Sequence, residues 1–163
     1  MKAQVVAYSG RGAGSKLIKW GTRGRFSHLS LRFLEIEKPI RDMVFGKFAL
    51  RIAPDYEVES LQFKGVIGHS FHRQDNQVVF NFKHDEAQAL IILKTAIGLL
   101  GKGYDYRGIG GFLSRRDKHN PNSWFCSELV GWCLLKAGIV LLWLPPFKQA
   151  PNTTVSSTLL LEE

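Results

Sequence analysis

The sequence predicts an α+β fold in a single domain, residues 1–163, with strands mostly in the first half and the principal helices after them. Three observations carry this expectation. Short runs ahead of His84 alternate polar and apolar side chains at a period of two, Phe26–Phe33 most cleanly. Clusters of Gly, Asn and Asp separate those runs as turns do. After His84 the pattern changes to longer apolar stretches, around Leu90–Leu100 and Leu129–Leu135, that read as core helices. A chain of 163 residues can bury a real core, and 45% hydrophobic with 12% aromatic residues is the composition of a folded globule. Repeats, low-complexity tracts and linkers are absent from the sequence.

Taken in order, Ala3–Ser9 reads as the first strand. The glycine-rich Gly10–Lys16 that follows lacks the spacing of a Walker loop and of the dinucleotide fingerprint. Ser15 instead suits the N-cap of a short helix, Lys16–Gly21, carrying Leu17, Ile18 and Trp20. In the strand Phe26–Phe33, parity points Phe26, His28, Ser30 and Arg32 one way and Ser27, Leu29, Leu31 and Phe33 the other. Met43–Ile52, Tyr56–Phe63, Gly65–Phe71 and Gln77–Phe82 read as further strands, with Asp75-Asn76 as a hairpin turn. His84-Asp85-Glu86 opens a helix from Ala87 to about Leu100, apolar on most sides and so expected to be covered. Gly101-Lys102-Gly103 ends it, and Tyr104–Phe112 is a glycine-rich connection bearing aromatics. Asn120–Ser123 supplies turn and N-cap chemistry for a helix starting close to Cys126, which Lys136-Ala137-Gly138 stops. Pro145-Pro146 begins an irregular tail, and Pro151–Thr154 caps a last short segment, residues 155–160.

Candidate chemistry centres on Cys126. A cysteine in a first helical turn lies near unpaired N–H groups and the positive end of the helix dipole, which favour the nucleophilic thiolate. Buried apolar cysteines are common, so position alone does not make a nucleophile; a histidine within reach does. His28 lies inside a strand on the face opposite the leucines; a lone strand histidine is more often structural than catalytic, so the residues alone leave its role open. Glu57 and Glu59 share a strand face, so parity does not choose between them, and Gln62 is a weaker polar candidate. Cys133 stands two helical turns beyond Cys126, about 10.5 Å along the axis, too far for a disulfide, and reads as core. No Cys/His spacing suggests zinc, and neither a metal nor a cofactor is expected.

The formal net charge of +8 implies an anionic neighbour: nucleic acid, acidic lipid or an acidic wall polymer. Arg115, Arg116, Lys118 and His119 form the dense basic patch, with Arg107 nearby; it is either a solvated loop or a cationic surface, and nothing makes nucleic acid an obligate partner. Met1–Gln4 leads straight into a strand without a signal-peptide pattern, and the apolar run Gly138–Leu144 is too short to span a bilayer. The chain is therefore expected to be cytoplasmic.

With these elements in place, the sequence resembles the circularly permuted branch of the NlpC-type, papain-like cysteine hydrolases, the branch of YiiX/YebB-like proteins. The matching pieces, in order, are Gly14–Trp20, the strand Phe26-Ser27-His28-Leu29-Ser30-Leu31, the polar strand Tyr56–Ser60 with Lys64-Gly65-Val66, Tyr104–Gly108, and Phe125-Cys126-Ser127-Glu128-Leu129-Val130. The resemblance covers roughly residues 1 to 160. It implies an antiparallel sheet or small barrel packed against a helix that bears the nucleophile. It also implies Cys126 as nucleophile, His28 as general base and then acid, and Glu59 as the group orienting the imidazole. The histidine precedes the cysteine, the reverse of the unpermuted order.

The function so implied is hydrolysis of an amide or ester bond through a thioester, on a peptide or peptidoglycan substrate or on a lipid acyl ester. Acyl transfer on the same fold is the alternative within that class. The Cys126 backbone N–H is the natural oxyanion donor, with the Tyr104 hydroxyl as a possible second. The competing class is a catalytically silent basic module that binds nucleic acid or membrane through Arg107, Arg115, Arg116 and Lys118.

Overall fold

The protein, seen in a computed structural model that describes residues 1–71, 74–106 and 120–163, is built on antiparallel strand pairing. Strands β1 (Lys2–Tyr8), β2 (His28–Leu34), β3 (Tyr56–Leu61), β4 (Gly65–Ser70) and β5 (Gln77–Asn81) come first. A two-residue pair, β6 (Gly103–Tyr104) and β7 (Ser123–Trp124), runs parallel, and β8 (Leu161–Glu162) closes the chain. The main sheet has six strands in the order β4-β3-β2-β1-β5-β8, each pair antiparallel.

One face of this sheet is the core. Ala3, Val5 and Ala7 of β1, Leu29, Leu31 and Phe33 of β2, and Val58 of β3 are wholly buried there. The register Val5↔Leu31↔Val58 sets them side by side, so the strict alternation of β2 places every large apolar side chain inward. Helices α1 (Ala13–Thr22), α2 (Lys38–Phe45), α3 (Glu86–Gly98), α4 (Cys126–Lys136) and α5 (Pro151–Val155) complete the elements discussed here. Of these, α3 and α4 pack on the sheet and on each other. Asp85 caps α3 by accepting from the Gln88 N–H at 2.7 Å, while Gln88 accepts from the Asp85 N–H, a reciprocal capping box. Burial of Ala89, Ile92, Leu93 and Ala96, at spacings of three and four, turns one side of α3 inward.

Several expectations need correcting. Residues 43–52 are not a strand: α2 and a 3-10 turn, Gly46–Arg51, occupy them. Pro39 suits a first helical turn, and no residue of α2 is fully buried, so no sheet neighbour demands an extended chain there. α1 begins earlier than expected, with Gly12 as N-cap and Ser15 inside the helix. Asp75-Asn76 does turn the chain, but not into a hairpin with β4: β5 pairs with β1, and the Ser9 N–H donates to the Asn76 carbonyl. Helix α3 is covered on one side only, with Ile91 exposed. The N-cap of α4 is Phe125, while Asn120 and Ser123 shape the turn before it. Pro151–Thr154 does not cap a later segment but forms the start of α5 itself. Among the described residues no helix is long and apolar enough to cross a membrane.

The β3–β4 turn fixes the register of the strands that carry the polar face, and Gly65 is its pivot. Its φ is +72°, and a Cβ there would lie 2.1 Å from the Lys102 carbonyl oxygen, which also accepts from the Val66 N–H. Gly65→Ala is expected to cost at least about 2 kcal/mol, from the left-handed backbone and the overlap together, read as a lowered denaturant midpoint. An Ala at Gly98, where a Cβ meets nothing within 4 Å, is the neutral comparison.

Candidate active site

Cross-strand register assembles the polar face of the sheet. Tyr8 stands opposite His28, Ser30 opposite Glu59, and Glu57 opposite His69. His28, Glu59 and His69 therefore run diagonally across β2, β3 and β4, a separation long side chains can bridge. They do: His28 Nε2 lies 2.6 Å from Glu59 Oε2, and His69 Nε2 lies 2.9 Å from Glu59 Oε1. One carboxylate thus holds two imidazoles, one on each oxygen.

The choice between the two glutamates is made by a neighbour. The Tyr8 hydroxyl donates to Glu57 Oε1, and Glu57 is almost wholly buried beside it. Burial, and then the Glu57 charge, push the Tyr8 phenol well above its ordinary range, so it stays a donor. With Glu57 engaged by Tyr8, Glu59 is the carboxylate that reaches His28.

Cys126 is the first residue of α4 and is buried with Phe125 and Ile18 of α1, with Tyr104 packed alongside. Backbone anchors fix it relative to the sheet. The Ser60 hydroxyl of β3 donates to the Trp124 carbonyl at 2.7 Å, two residues before the thiol. The Ser127 hydroxyl, one residue after it, donates to the Gln149 carbonyl. Glu128 accepts from the Phe125 N–H at 3.2 Å, closing the first turn.

The electrostatics follow. Burial would lower the basicity of His28, but the charge and hydrogen bonding of Cys126 and then of Glu59 outweigh it and raise its pKa to about 10. Since Nε2 faces Glu59, the thiol is left to Nδ1. Burial would raise Glu59, yet hydrogen bonds from His28 and His69 and their charges bring it down to about 2. Glu59 chiefly raises His69, to about 9, against the opposing effect of burial. Geometry gives the same state: His69 Nδ1 faces the Ser70 carbonyl at 2.9 Å and Nε2 faces a carboxylate. Two acceptors require two N–H donors, so His69 is an imidazolium.

A cavity of about 520 Å³ opens beside this array, lined by Ser15, Ile18, His28, Glu59, Gln62 and Tyr104 among others. Gln62 hydrogen-bonds Tyr104, whose phenol is pushed up by burial and then by the charge of Cys126. A more apolar groove of about 440 Å³ runs past Trp132, Leu135 and Trp143; its lining includes neither His28 nor Glu59. The structure thus brings together Cys126, His28, Glu59 and Tyr104. Cys133 is a core residue whose thiol burial pushes up, and neither cysteine is in a disulfide. Arg107, Arg115, Arg116, Lys118 and His119 lie outside the described residues. Sequence reasoning missed His69. Its signal was the tight turn: pairing Leu61 with Gly65 sets His69 across from Glu57, on the Glu59 face.

Among solved structures, the fold is similar to that of the metalloprotein YiiX from Escherichia coli, with a TM-score of 0.68 over 100% of this chain and 96% of that one, at 16% identity. At that identity the likeness is one of fold: α+β, with a six-stranded antiparallel sheet. No family model and no curated protein matches the sequence. The word metalloprotein belongs to that neighbour. Among the described residues here, no group of three or more His, Cys, Asp or Glu side chains is arranged to hold a metal ion. The oxygens of Glu59 are spent on two imidazoles, which face them rather than a common centre.

The linked titrations give a stability signature. Glu59, depressed to about 2, stabilises the fold above its ordinary value of 4.5, and that gain is lost as pH falls toward 2. His28 and His69, raised to about 10 and 9, stabilise it below 6.5, and that gain is lost as pH rises through 9 to 10. The stability gap between wild type and Glu59→Gln is therefore expected to be widest near pH 4.5 to 6.5, on the order of 3 kcal/mol, and to narrow on both sides. Urea titrations across pH read it directly.

Proposed function

We propose that this protein is a cysteine hydrolase that cleaves an amide or ester through a thioester on Cys126, with a permuted papain-like, NlpC-type arrangement of its residues. The observation that carries the reading is His28 set between two partners, its Nε2 on Glu59 and its charge coupled to Cys126. That is the arrangement a thiolate–imidazolium pair needs, with a carboxylate fixing ring orientation and stabilising the cation.

In the proposed reaction the Cys126 sulfur attacks the substrate carbonyl carbon, and the π electrons move to the oxygen. The backbone N–H of Cys126, free of an intrahelical partner at the start of α4, donates to that oxyanion, and Tyr104 adds a hydroxyl from the cavity wall. Collapse expels the amine or alkoxide, which takes the proton from His28, leaving the thioester. His28, now neutral, removes a proton from water; hydroxide adds to the thioester carbonyl, and the thiolate leaves as the acid is released. An alcohol in place of water makes the same steps an acyl transfer. A peptide amide of wall type and a lipid acyl ester both fit this chemistry.

Two measurements test the reading. Iodoacetamide is expected to label Cys126 rapidly well below pH 8, and that reactivity is expected to collapse in His28→Ala. Both thiols are buried, but Cys126 has His28 beside it, whereas burial alone acts on Cys133 and pushes its thiol up, so Cys133 stays unlabelled and serves as the internal control. Slow labelling with an ordinary thiol titration in both proteins would remove the proposal. Once a substrate is found, Cys126→Ala is expected to abolish turnover, His28→Ala to lower kcat by about 10²–10⁴-fold, and Tyr104→Phe by about 10²-fold. Glu57→Gln, placed on Tyr8 rather than His28, is expected to change kcat far less than Glu59→Gln.

A further inference from the structure

The cavity that holds His28 and Glu59 has two lips, and each carries an apolar side chain in water beside a lysine. On one lip is α1. Its inner side gives Ser15 and Ile18 to the cavity, and Ile18 packs against Phe125 and Cys126. Its outer side presents Leu17, 51% exposed, and Trp20, 74% exposed, with Lys16 and Arg23 also exposed. The other lip is the β3–β4 turn. Gln62 and Lys64 line the cavity, and Phe63 between them is 91% exposed. Phe63 also adopts a left-handed backbone, φ +67°, which a bulky residue rarely takes. It is held outward there by the Tyr106 hydroxyl, which accepts from its N–H at 2.7 Å, and by the Tyr106 ring, 5.9 Å away. Those contacts hold the turn, but the phenyl ring itself stays 91% exposed, an apolar surface that the fold leaves available to something outside it.

Charge selects the occupant. No Asp or Glu occurs before Glu35, whereas Arg11, Lys16, Lys19, Arg23 and Arg25 surround α1. Arg25 approaches Glu162 at 3.9 Å and Lys19 donates to the Gly10 carbonyl at 2.8 Å; Arg11, Lys16 and Arg23 are exposed. Tryptophan, leucine and phenylalanine interleaved with lysine and arginine are what a headgroup layer accepts: rings at the interface, cations on anionic phosphates. A polyanion without free bases, such as duplex DNA or an acidic polymer, would use the cations and leave the three apolar side chains idle.

We propose that these two lips, Leu17 and Trp20 with Lys16 on α1 and Phe63 with Lys64 on the β3–β4 turn, form a docking surface for an anionic lipid bilayer. The surface stands independently of the hydrolase reading. Only its corollary, that the scissile bond reaches Cys126 from a lipid, rests on that reading.

The test uses the full chain carrying Cys126→Ala, sedimented with vesicles of phosphatidylcholine alone or mixed with phosphatidylglycerol. Binding is expected with the anionic vesicles only, weakening as salt rises from about 0.1 M to 0.5 M. Trp20→Ala with Phe63→Ala is expected to weaken it at least about tenfold. Lys16→Gln with Lys64→Gln is expected to weaken it about 25-fold, roughly fivefold per lysine. Trp20→Ala in the otherwise native protein leaves turnover of a water-soluble ester unchanged. Three results would each overturn the proposal: no sedimentation with anionic vesicles; loss of binding in Trp143→Ala but not in Trp20→Ala with Phe63→Ala; or duplex DNA bound more tightly than vesicles and indifferent to the aromatic substitutions. A wild-type protein that docks yet never labels at Cys126 would defeat the hydrolase reading and leave the docking surface in place.

Discussion

Glu59 is the point on which the polar face depends. A carboxylate largely removed from water must be paired on both oxygens or give up its charge. Here each oxygen takes one imidazole, His28 from β2 and His69 from β4. The arrangement exists only if three adjacent strands hold a single register, because a shift of one residue would turn any of these side chains to the leucine face. The alternation that buries Leu29, Leu31 and Val58 is therefore the same alternation that assembles the polar array. Core packing and site geometry are one constraint seen from two faces of a sheet.

The thiol comes from a different part of the chain and has to be placed against that array. Two backbone carbonyls serve as anchors. Trp124 is tied to β3 through Ser60, and the segment after Cys126 is tied to the tail through Ser127 and Gln149. Both hydroxyls are buried, so each unmade bond would leave a desolvated polar group, and the first turn of α4 has little freedom to slide. Ile18 and Phe125 pack with Cys126 in one buried cluster. The helix end thus presents its N–H groups at a fixed distance from β2, whatever the order in which the chain visits them.

Much of this was legible in the sequence. The alternation in β2 gave the face of His28, because a half-buried strand has a period of two and no helix shares it. The apolar run after Cys126 gave α4 and its start. Less was legible wherever a partner decides the outcome. Glu57 and Glu59 share a face, and only Tyr8, 49 residues before Glu57 in the chain, separates them. Residues 43–52 contain apolar side chains that suggest a strand, but no neighbouring strand offers them hydrogen bonds, and Pro39 starts a helix instead. The turn at Asp75-Asn76 was readable as a turn, yet where β5 goes afterwards is a matter of sheet order, which local patterns do not encode.

His69 changes the charge balance that the proposed chemistry requires. A thiolate, an imidazolium and a carboxylate alone would leave a net negative charge in a cavity with few ways to disperse it. His69, forced to carry two N–H groups by the Ser70 carbonyl and Glu59, supplies the missing positive charge, so these four groups sum to zero, with Glu57 held separately by the Tyr8 hydroxyl. Such a quartet needs no distant counter-ion and costs less to hold out of water than an unbalanced triad. The balance also survives the first step of the reaction, since attack only moves the negative charge from sulfur to the carbonyl oxygen. His69 lies at the outer end of the row, with 36% of its side chain in water, so it is the member whose proton solvent can most readily remove. When that proton leaves, above about pH 9, His69 keeps one N–H for its two acceptors, Glu59 and the Ser70 carbonyl, and the array is left with the excess negative charge. On a rise in pH the array therefore loses its positive charge first at its solvent edge, from His69, and only then from His28.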